Sequence, residues 1–475
     1  AKPIFQSESG TGSLLNVIDG LRQYQQAGAS VELNNYKRLQ KQVELLTADW
    51  NRFGMNDVYA FPEDMFIDSY AQQVRQSRLE YDLIRSNPKM CGLSITTMVD
   101  VGVGDGRWTY AREFKPGMMD ALRDGWAPLR WCLFVEPGHV YAGRQFTIEA
   151  VLATEDVLKP GTYAADLKVF GEPGAVWEKH VTFSVPQPPK GSDGPLAVVV
   201  FRESIKLNVP PGAYEFTASL EQGGAPAGAR RKFYVSAPVA ASKSEVTVLG
   251  LSRETEHWLT THGVTCRPFA AHPQVREVIL VGDLSKTDAG LDQWKALLQR
   301  IARGSTVVFL SPYAFKRGDN AVGWLPLETK GCGYSFGDWV YHKECLAKPH
   351  PVFEGLPCKG VMDWEYYDQV ITHFVFDGQD TPDDVAAVWF ATGYNDGMLS
   401  EKFRTGYAAG LLFAGYRFGH GRFFINTLRI LENLDINPAA DRMLMNIIRY
   451  AQKGDGKPLA ALPDDFETLL HRLYG

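Results

Sequence analysis

Three textures of apolar spacing follow one another along this chain, and each predicts a different kind of structure. Over residues 1–130, short apolar runs alternate with helical stripes. Pro3–Ser7 reads as a strand, a helix is expected over 36–50, and "DSYAQQVRQSRLEYDLIRSNP" places Tyr70, Val74, Tyr81 and Ile84 on one helical face. Asp68 or Ser69 is the expected cap of that helix and Asn87-Pro88 its stop. "KMCGLSITTMVD" then reads as a second buried strand and "GMMDALRDGWAPL" as a second helix. The rhythm is βαβα, as in parallel sheets.

From Trp131 the spacing changes to short alternating strands broken by turns such as Lys159-Pro160-Gly161 and Pro210-Pro211-Gly212. That pattern predicts an antiparallel β-sandwich of immunoglobulin type over 131–237, without the Cys…Trp…Cys signature of antibody domains. "APVAASKS" at 237–244 has the small, polar composition of a linker. Continuous apolar runs follow, among them "EVILVGD", "STVVFLSP", "AAVWFATG" and "RFFINTL". Runs buried on both faces predict a doubly wound α/β domain over 245–452. Its last helix is punctuated by Asn437 as N-cap, Pro438 at the first helical position and the stripe Met443, Ile447, Tyr450. Residues 453–475 read as a linker and a short C-terminal helix.

Composition narrows the function classes. A chain of 475 residues implies more than one core, and 45% hydrophobic with 22% charged residues is a globular balance. The net charge of −6, with no Lys/Arg cluster, argues against nucleic acid as a partner. No run of about 18 apolar residues predicts a membrane span. The six cysteines include no CxxC pair and no His at ligand spacing, so neither a metal site nor any cofactor is expected, and no disulfide framework can be read from them.

"KPIFQSESG" at 2–10 carries the chemistry of most interest: an apolar strand delivering Glu8 into a Ser-Glu-Ser-Gly corner. It resembles the strand-seven motif of family 2 glycoside hydrolases, in which a Ser-Glu-aromatic-Gly corner holds the nucleophile; here Ser9 stands at the aromatic's place. "NPKMCGLSITTMVDVGVGDG" is similar to strand eight of those barrels, and "GMMDALRDGWAPLRW" to their final helix. "VYAGRQFTIEAVLATEDVLKPGTY" resembles the immunoglobulin-like module that follows. "KPHPVFEGLP" and "GHGRFFINTLRILENLDINPAADRMLMNIIRYA" resemble a glutamine-amidotransferase-like domain appended to some of these enzymes. The resemblance implies a multidomain chain: a partial (β/α)8 barrel (its last two βα units) over 1–130, then the sandwich, then a flavodoxin- or amidotransferase-like α/β domain. It also makes a periplasmic or secreted location an expectation.

A complete (β/α)8 barrel takes about 250 residues, so residues 1–130 supply only strands seven and eight. A barrel-completing N-terminal polypeptide, or a homo-oligomer, is therefore the expected partner, and carbohydrate the expected substrate. Retaining glycosidases need two carboxyl groups about 5–5.5 Å apart, one ionised to attack C1 and one protonated to release the leaving oxygen. The resemblance makes Glu8 the first. It places the second in an Asn-Glu pair, and no Asn of this chain is followed by Glu. Half a catalytic pair is present, so the chain by itself is expected to be inactive.

Trp50 and Tyr59, with Phe53, Phe61 and Phe66, follow strand seven, where rings can stack on a sugar; they can equally pack the segment onto its own helix. Trp108 is a further candidate for substrate binding, while Asp100, Asp105 and Arg107 are either hydroxyl contacts or solvated loop charges. An amidotransferase needs a Cys at a strand-to-helix turn with a His partner. Here the corresponding strand ends in Ser311-Pro312, Cys332 follows no apolar strand, and His350 and His373 have no acid at recognisable spacing. A non-catalytic carbohydrate-binding or assembly scaffold is the alternative reading of the whole chain.

Overall fold

The computed structural model describes residues 2–100, 104–155, 157–172, 174–190, 194–270, 275–286, 290–336, 343–393, 406–453 and 456–474. These fall into two compact units: one takes residues up to 29 and 66–238, the other 30–65 and those from 239 onward.

In the first unit β1 (Ile4–Ser9) is followed by α1 (Val17–Gln26). After α2 (Asn34–Arg52), which belongs to the second unit, come α3 (Pro62–Arg85), β2 (Met90–Ile95) and α4 (Met118–Gly125). Helix α3 starts at Pro62, ahead of the expected caps Asp68 and Ser69. Proline suits a first helical position, and Glu63 and Asp64 complement the helix dipole. Ser69 lies inside the helix, fully buried, and its Oγ accepts the Leu14 amide at 2.8 Å. Of the predicted stripe, Tyr70, Val74 and Tyr81 are buried.

Strands β1 and β2 pair in parallel as a sheet of two. Parallel strands are ordinarily covered on both faces, yet every β1 residue except Ser9 is exposed, including Ile4 at 43% and Phe5 at 60%. Phe5 lies across Gly92 of β2, where a Cβ would come within 2.8 Å of its ring. An open edge with apolar side chains beside it promotes strand addition. The isolated chain is accordingly expected to self-associate at micromolar concentration and to bind hydrophobic dye. Phe5→Lys should reduce both in sedimentation and fluorescence measurements; a dye-negative monomer before mutation would refute the exposure argument.

The rest of this unit is two facing sheets. One is antiparallel, with β3 (Leu129–Glu136), β5 (Gln145–Thr154) and β8 (Ala197–Lys206) in the order β3-β5-β8; β4 (His139–Tyr141) intervenes in sequence but joins the other sheet. The second contains β6 (Gly161–Gly171), β7 (Gly174–Val185), β9 (Gly212–Leu220) and β10 (Arg230–Ser236), in the order β4-β10-β9-β6-β7. Only its β10–β4 pair is parallel. Alternate residues of both sheets, such as Trp131, Leu133, Ile148, Leu167, Phe216 and Phe233, form one core. The helical part is tied to it by Arg130, whose Nη2 donates to Asp82 of α3 at 2.7 Å.

The second unit is built on one large mixed sheet. Its strands are β11 (Ser244–Leu249), β12 (Val264–Pro268), β13 (Val278–Val281), β14 (Thr306–Phe309), β15 (Cys332–Ser335), β16 (Lys343–Ala347), β17 (Gly360–Val361), β18 (Phe374–Asp377), β19 (Asp384–Thr392), β20 (Tyr407–Phe418) and β21 (Gly421–Asn426). The order is β12-β11-β13-β14-β21-β20-β19-β16-β17, with β15 and β18 attached at β20. The first five pair in parallel; β21 to β17 pair antiparallel. The apolar runs of β19 and β20 thus belong to an antiparallel half that run length alone did not distinguish, since both are buried on both faces. The helices are α5 (Arg253–Thr261), α6 (Leu291–Ala302), the single turn α7 (Trp364–Tyr367), α8 (Pro438–Ala451) and α9 (Phe466–Tyr474). Asn437 caps α8 by accepting the Ala439 amide at 2.8 Å.

Residues 30–65 pack with this second unit. Lys348 Nζ donates to the carbonyls of Phe53 and Gly54 at 2.6 and 2.9 Å, Tyr407 donates to Asp49 at 3.0 Å, and Phe53 meets Phe390 edge-on.

Candidate functional site

Glu8 is the next-to-last residue of β1, exposed, at the carboxyl end of the parallel pair. Between Gln6 and Ser9 the register shifts, so three steps of β1 face two of β2 (Gln6↔Leu93, Ser9↔Ile95). Irregularities of this kind re-aim side chains. Glu8 points outward with no partner for its carboxylate among the described residues, while Ser9 turns inward and donates to Glu80. Thr96 ties the two strand ends together through its amide and Oγ1, both donating to the Ser9 carbonyl at 3.0 Å.

Beyond these strand ends the chain buries a dense polar network. Lys115 is fully buried, and its Nζ lies 3.0–3.1 Å from Ser13 Oγ, Gln73 Oε1, the Gly104 carbonyl and Asp100 Oδ1. Arg107 donates to the carbonyls of Thr11 and Asp105 at 3.2 and 2.8 Å, and Thr97 donates to Asp105 Oδ2 at 2.8 Å. Gly104 and Gly106 are required by close approach: a Cβ at either would come within 2.1 Å of the Ser13 carbonyl or 2.4 Å of the Asp100 amide. Burial drives the Lys115 ammonium down to about 8 against the attraction of Asp100. Burial likewise drives Asp100 up to about 6, against Lys115. Asp100, Asp105 and Arg107 are therefore neither solvated loop charges nor exposed sugar contacts. They are 1%, 8% and 1% exposed and shape the ends of β1 and β2 from below.

Trp108 is half-buried at this end of the first unit. Its amide donates to Met98 at 2.7 Å, its carbonyl accepts the Asp100 amide at 2.9 Å, and its ring meets Phe114 edge-on at 5.4 Å. Trp50 and Tyr59 belong to the second unit, 3% and 9% exposed, stacked on each other at 6.1 Å. Trp50 Nε1 donates to Asn56 at 2.6 Å. Both rings are thus packed within the second unit, the second of the two roles open to them in the sequence. Periodicity could not separate these cases, because a stacking platform and a core aromatic look alike in sequence.

In the second unit Ser311 follows β14, and its Oγ accepts the Tyr313 amide at 3.3 Å, opening a turn rather than presenting a nucleophile. Cys332 lies in β15. His350 does have an acidic partner, Asp384, at 3.2 Å, supplied by β19 rather than by local spacing. The His350 Nδ1 accepts the Val352 amide and Tyr450 also donates to Asp384, at 2.7 Å. Both ring nitrogens are thus engaged in holding the fold. Glutaminase activity is expected to be undetectable; ammonia release from glutamine by the purified chain, lost in Cys332→Ser, would overturn this.

No protein-family model and no curated protein sequence matches this chain. Solved structures are similar over parts of it. The Pseudomonas fluorescens alkylpurine DNA glycosylase AlkC aligns with 26% of this chain and 33% of its own, at 13% identity and a TM-score of 0.18. A CARDB domain from Pyrococcus furiosus, solved with di-metal ions, aligns with 23% of this chain and 86% of its own, at 13% identity and 0.17. A β-glucosidase from Listeria innocua in complex with glucose aligns with 23% of this chain and 16% of its own, at 9% identity and 0.16. The chain thus spans a third or less of the two enzymes. Likenesses this slight define neither a shared fold nor an activity.

Proposed function

We propose that this chain is part of a retaining β-glycosidase that acts on carbohydrate and supplies the nucleophile, Glu8, but not the acid/base. In this reading β1–α3 and β2–α4 are the last two βα units of a (β/α)8 barrel, the facing sheets are its immunoglobulin-like module, and the second unit is its amidotransferase-like domain. The observation that carries it is the parallel β1–β2 pair, uncovered on β1 and with Glu8 exposed at its carboxyl end. Catalytic groups of such barrels sit at the carboxyl ends of the strands, and a two-stranded parallel sheet with exposed Ile4 and Phe5 calls for further strands beside it.

In the completed barrel the Glu8 carboxylate attacks the anomeric carbon as the glycosidic C–O bond breaks. A carboxylic acid from another strand gives its proton to the leaving oxygen; water then cleaves the glycosyl ester, yielding a retained anomer and restoring both groups. Co-expression with barrel-completing strands should produce hydrolysis of an aryl β-glycoside with retention, read by NMR of the first-formed anomer. Inversion, or hydrolysis by residues 1–475 alone, would overturn the proposal. Glu8 standing exposed without a carboxyl partner also suits the non-catalytic scaffold reading, which predicts sugar binding but no turnover after completion.

A further inference from the structure

The second unit contains a cavity of about 730 Å³ that the glycosidase reading does not use. It opens at the carboxyl ends of β11, β13 and β14. Strand β11 has β12 on one side and β13 on the other, so the chain leaves these neighbouring strands in opposite directions. Parallel sheets bind their ligands in the crevice such a reversal opens. The floor is bare backbone. Gly250 sits at φ +66°, and a Cβ on Gly282 would come within 2.2 Å of the Gly250 carbonyl, so the two turns touch with no side chain between them.

The lining identifies the ligand class. Asp283, whose Oδ1 accepts the Ser285 amide and Oγ at 3.0 and 2.5 Å, and Glu432 contribute carboxylates, Ser252 and Ser311 hydroxyls, and no lysine or arginine is among the described residues that line the cavity. The N-terminus of α5, a potential anion site, is already satisfied: Ser252 Oγ accepts the Thr255 amide, and the Glu254 carboxylate takes its own backbone amide. Phosphate and carboxylate ligands are therefore disfavoured. Tyr313 stands at the rim, 51% exposed, its ring meeting Phe374 edge-on at 5.8 Å. An exposed aromatic face beside carboxylate and hydroxyl groups matches the apolar C–H face and vicinal hydroxyls of a sugar. We propose that this crevice binds a small neutral saccharide, one or two rings in size, at a site separate from Glu8.

The test uses the purified full chain with glucose, galactose, mannose and cellobiose as probes, and glucuronate, inorganic phosphate and ethanolamine as comparators. Affinity is measured by titration calorimetry and location by hydrogen exchange over 250–255 and 282–285. At least one neutral sugar should bind saturably and protect these segments, with glucuronate and phosphate weaker. Tyr313→Ala and Asp283→Asn should each weaken binding about tenfold, while Tyr313→Phe, which keeps the ring, should retain it and show that the fold is intact. No saturable binding by any neutral sugar, unchanged affinity in Tyr313→Ala and Asp283→Asn, or stronger protection by phosphate or ethanolamine would each overturn the inference. Fluoro-sugar labelling of Glu8 is read separately, so an empty crevice with a labelled Glu8 would refute this site alone.

Discussion

Glu8→Gln, placed in the barrel-completed form of the proposed glycosidase, should lower glycoside turnover by roughly four orders of magnitude or more, the scale on which a lost nucleophile is felt. Glutamine keeps the shape of the side chain but removes the charge that attacks C1, so no glycosyl ester can form. Folding should be nearly unaffected. The Glu8 side chain is exposed and its carboxylate has no partner among the described residues, and such substitutions usually stay within about 0.5 kcal/mol. A 2-fluoro glycoside should label Glu8, seen as a mass increment on the peptide containing Gln6–Gly10. Label on another carboxylate, or full activity in the Gln variant, would reduce the Ser-Glu-Ser-Gly corner to an ordinary turn.

Lys115→Met should destabilise the first unit by about 3–5 kcal/mol near neutral pH, because it strands the Asp100 carboxylate in a buried site. The sign of the pH dependence follows from both groups. Asp100 is raised to about 6, so folding favours its protonated form. Its contribution is full below the unfolded value near 4 and is lost as pH rises through 6. Lys115 is lowered to about 8, so folding favours its neutral form, and stability is gained as pH rises above 8. The two are charged together between about 6 and 8, and there the Met substitution should cost most. At pH 5, with Asp100 largely protonated, its effect should shrink. Lys115→Met combined with Asp100→Asn should recover most of the loss. Hydrogen exchange of amides in β1 and β2 reports this unit apart from the other. A pH-independent cost, or no recovery in the double variant, would show that the ion pair is not what holds the network.

Much of the local structure was legible in the sequence because its causes are local. The stripe Tyr70, Val74, Tyr81 marks the buried face of α3, and Asn437-Pro438 marks the start of α8, since a cap and a proline act within one helical turn. The alternation from Trp131 to Ser236 predicts strands whose inward residues meet in one core. Glu8 and its corner could be singled out as a presented carboxylate from nine consecutive residues.

Tertiary structure decided the rest, because it depends on partners remote in sequence. Run length could not separate the parallel from the antiparallel half of the large sheet, as both bury their strands completely. The buried roles of Asp100, Asp105 and Arg107 come from Thr11, Ser13, Gln73 and Lys115, which converge only when β1, α3 and the loop after β2 meet. That Trp50 and Tyr59 are buried and stacked on each other is likewise visible only in the fold. His350 found Asp384 across 34 positions, a separation at which spacing carries no signal. The sequence by itself thus determined features with local causes: the buried face of α3, the start of α8 and the alternation of the strands after Trp131. Which polar groups are buried together, and where the crevice beside Tyr313 opens, was decided by long-range packing, since desolvation and pairing arise only from neighbours the fold brings together.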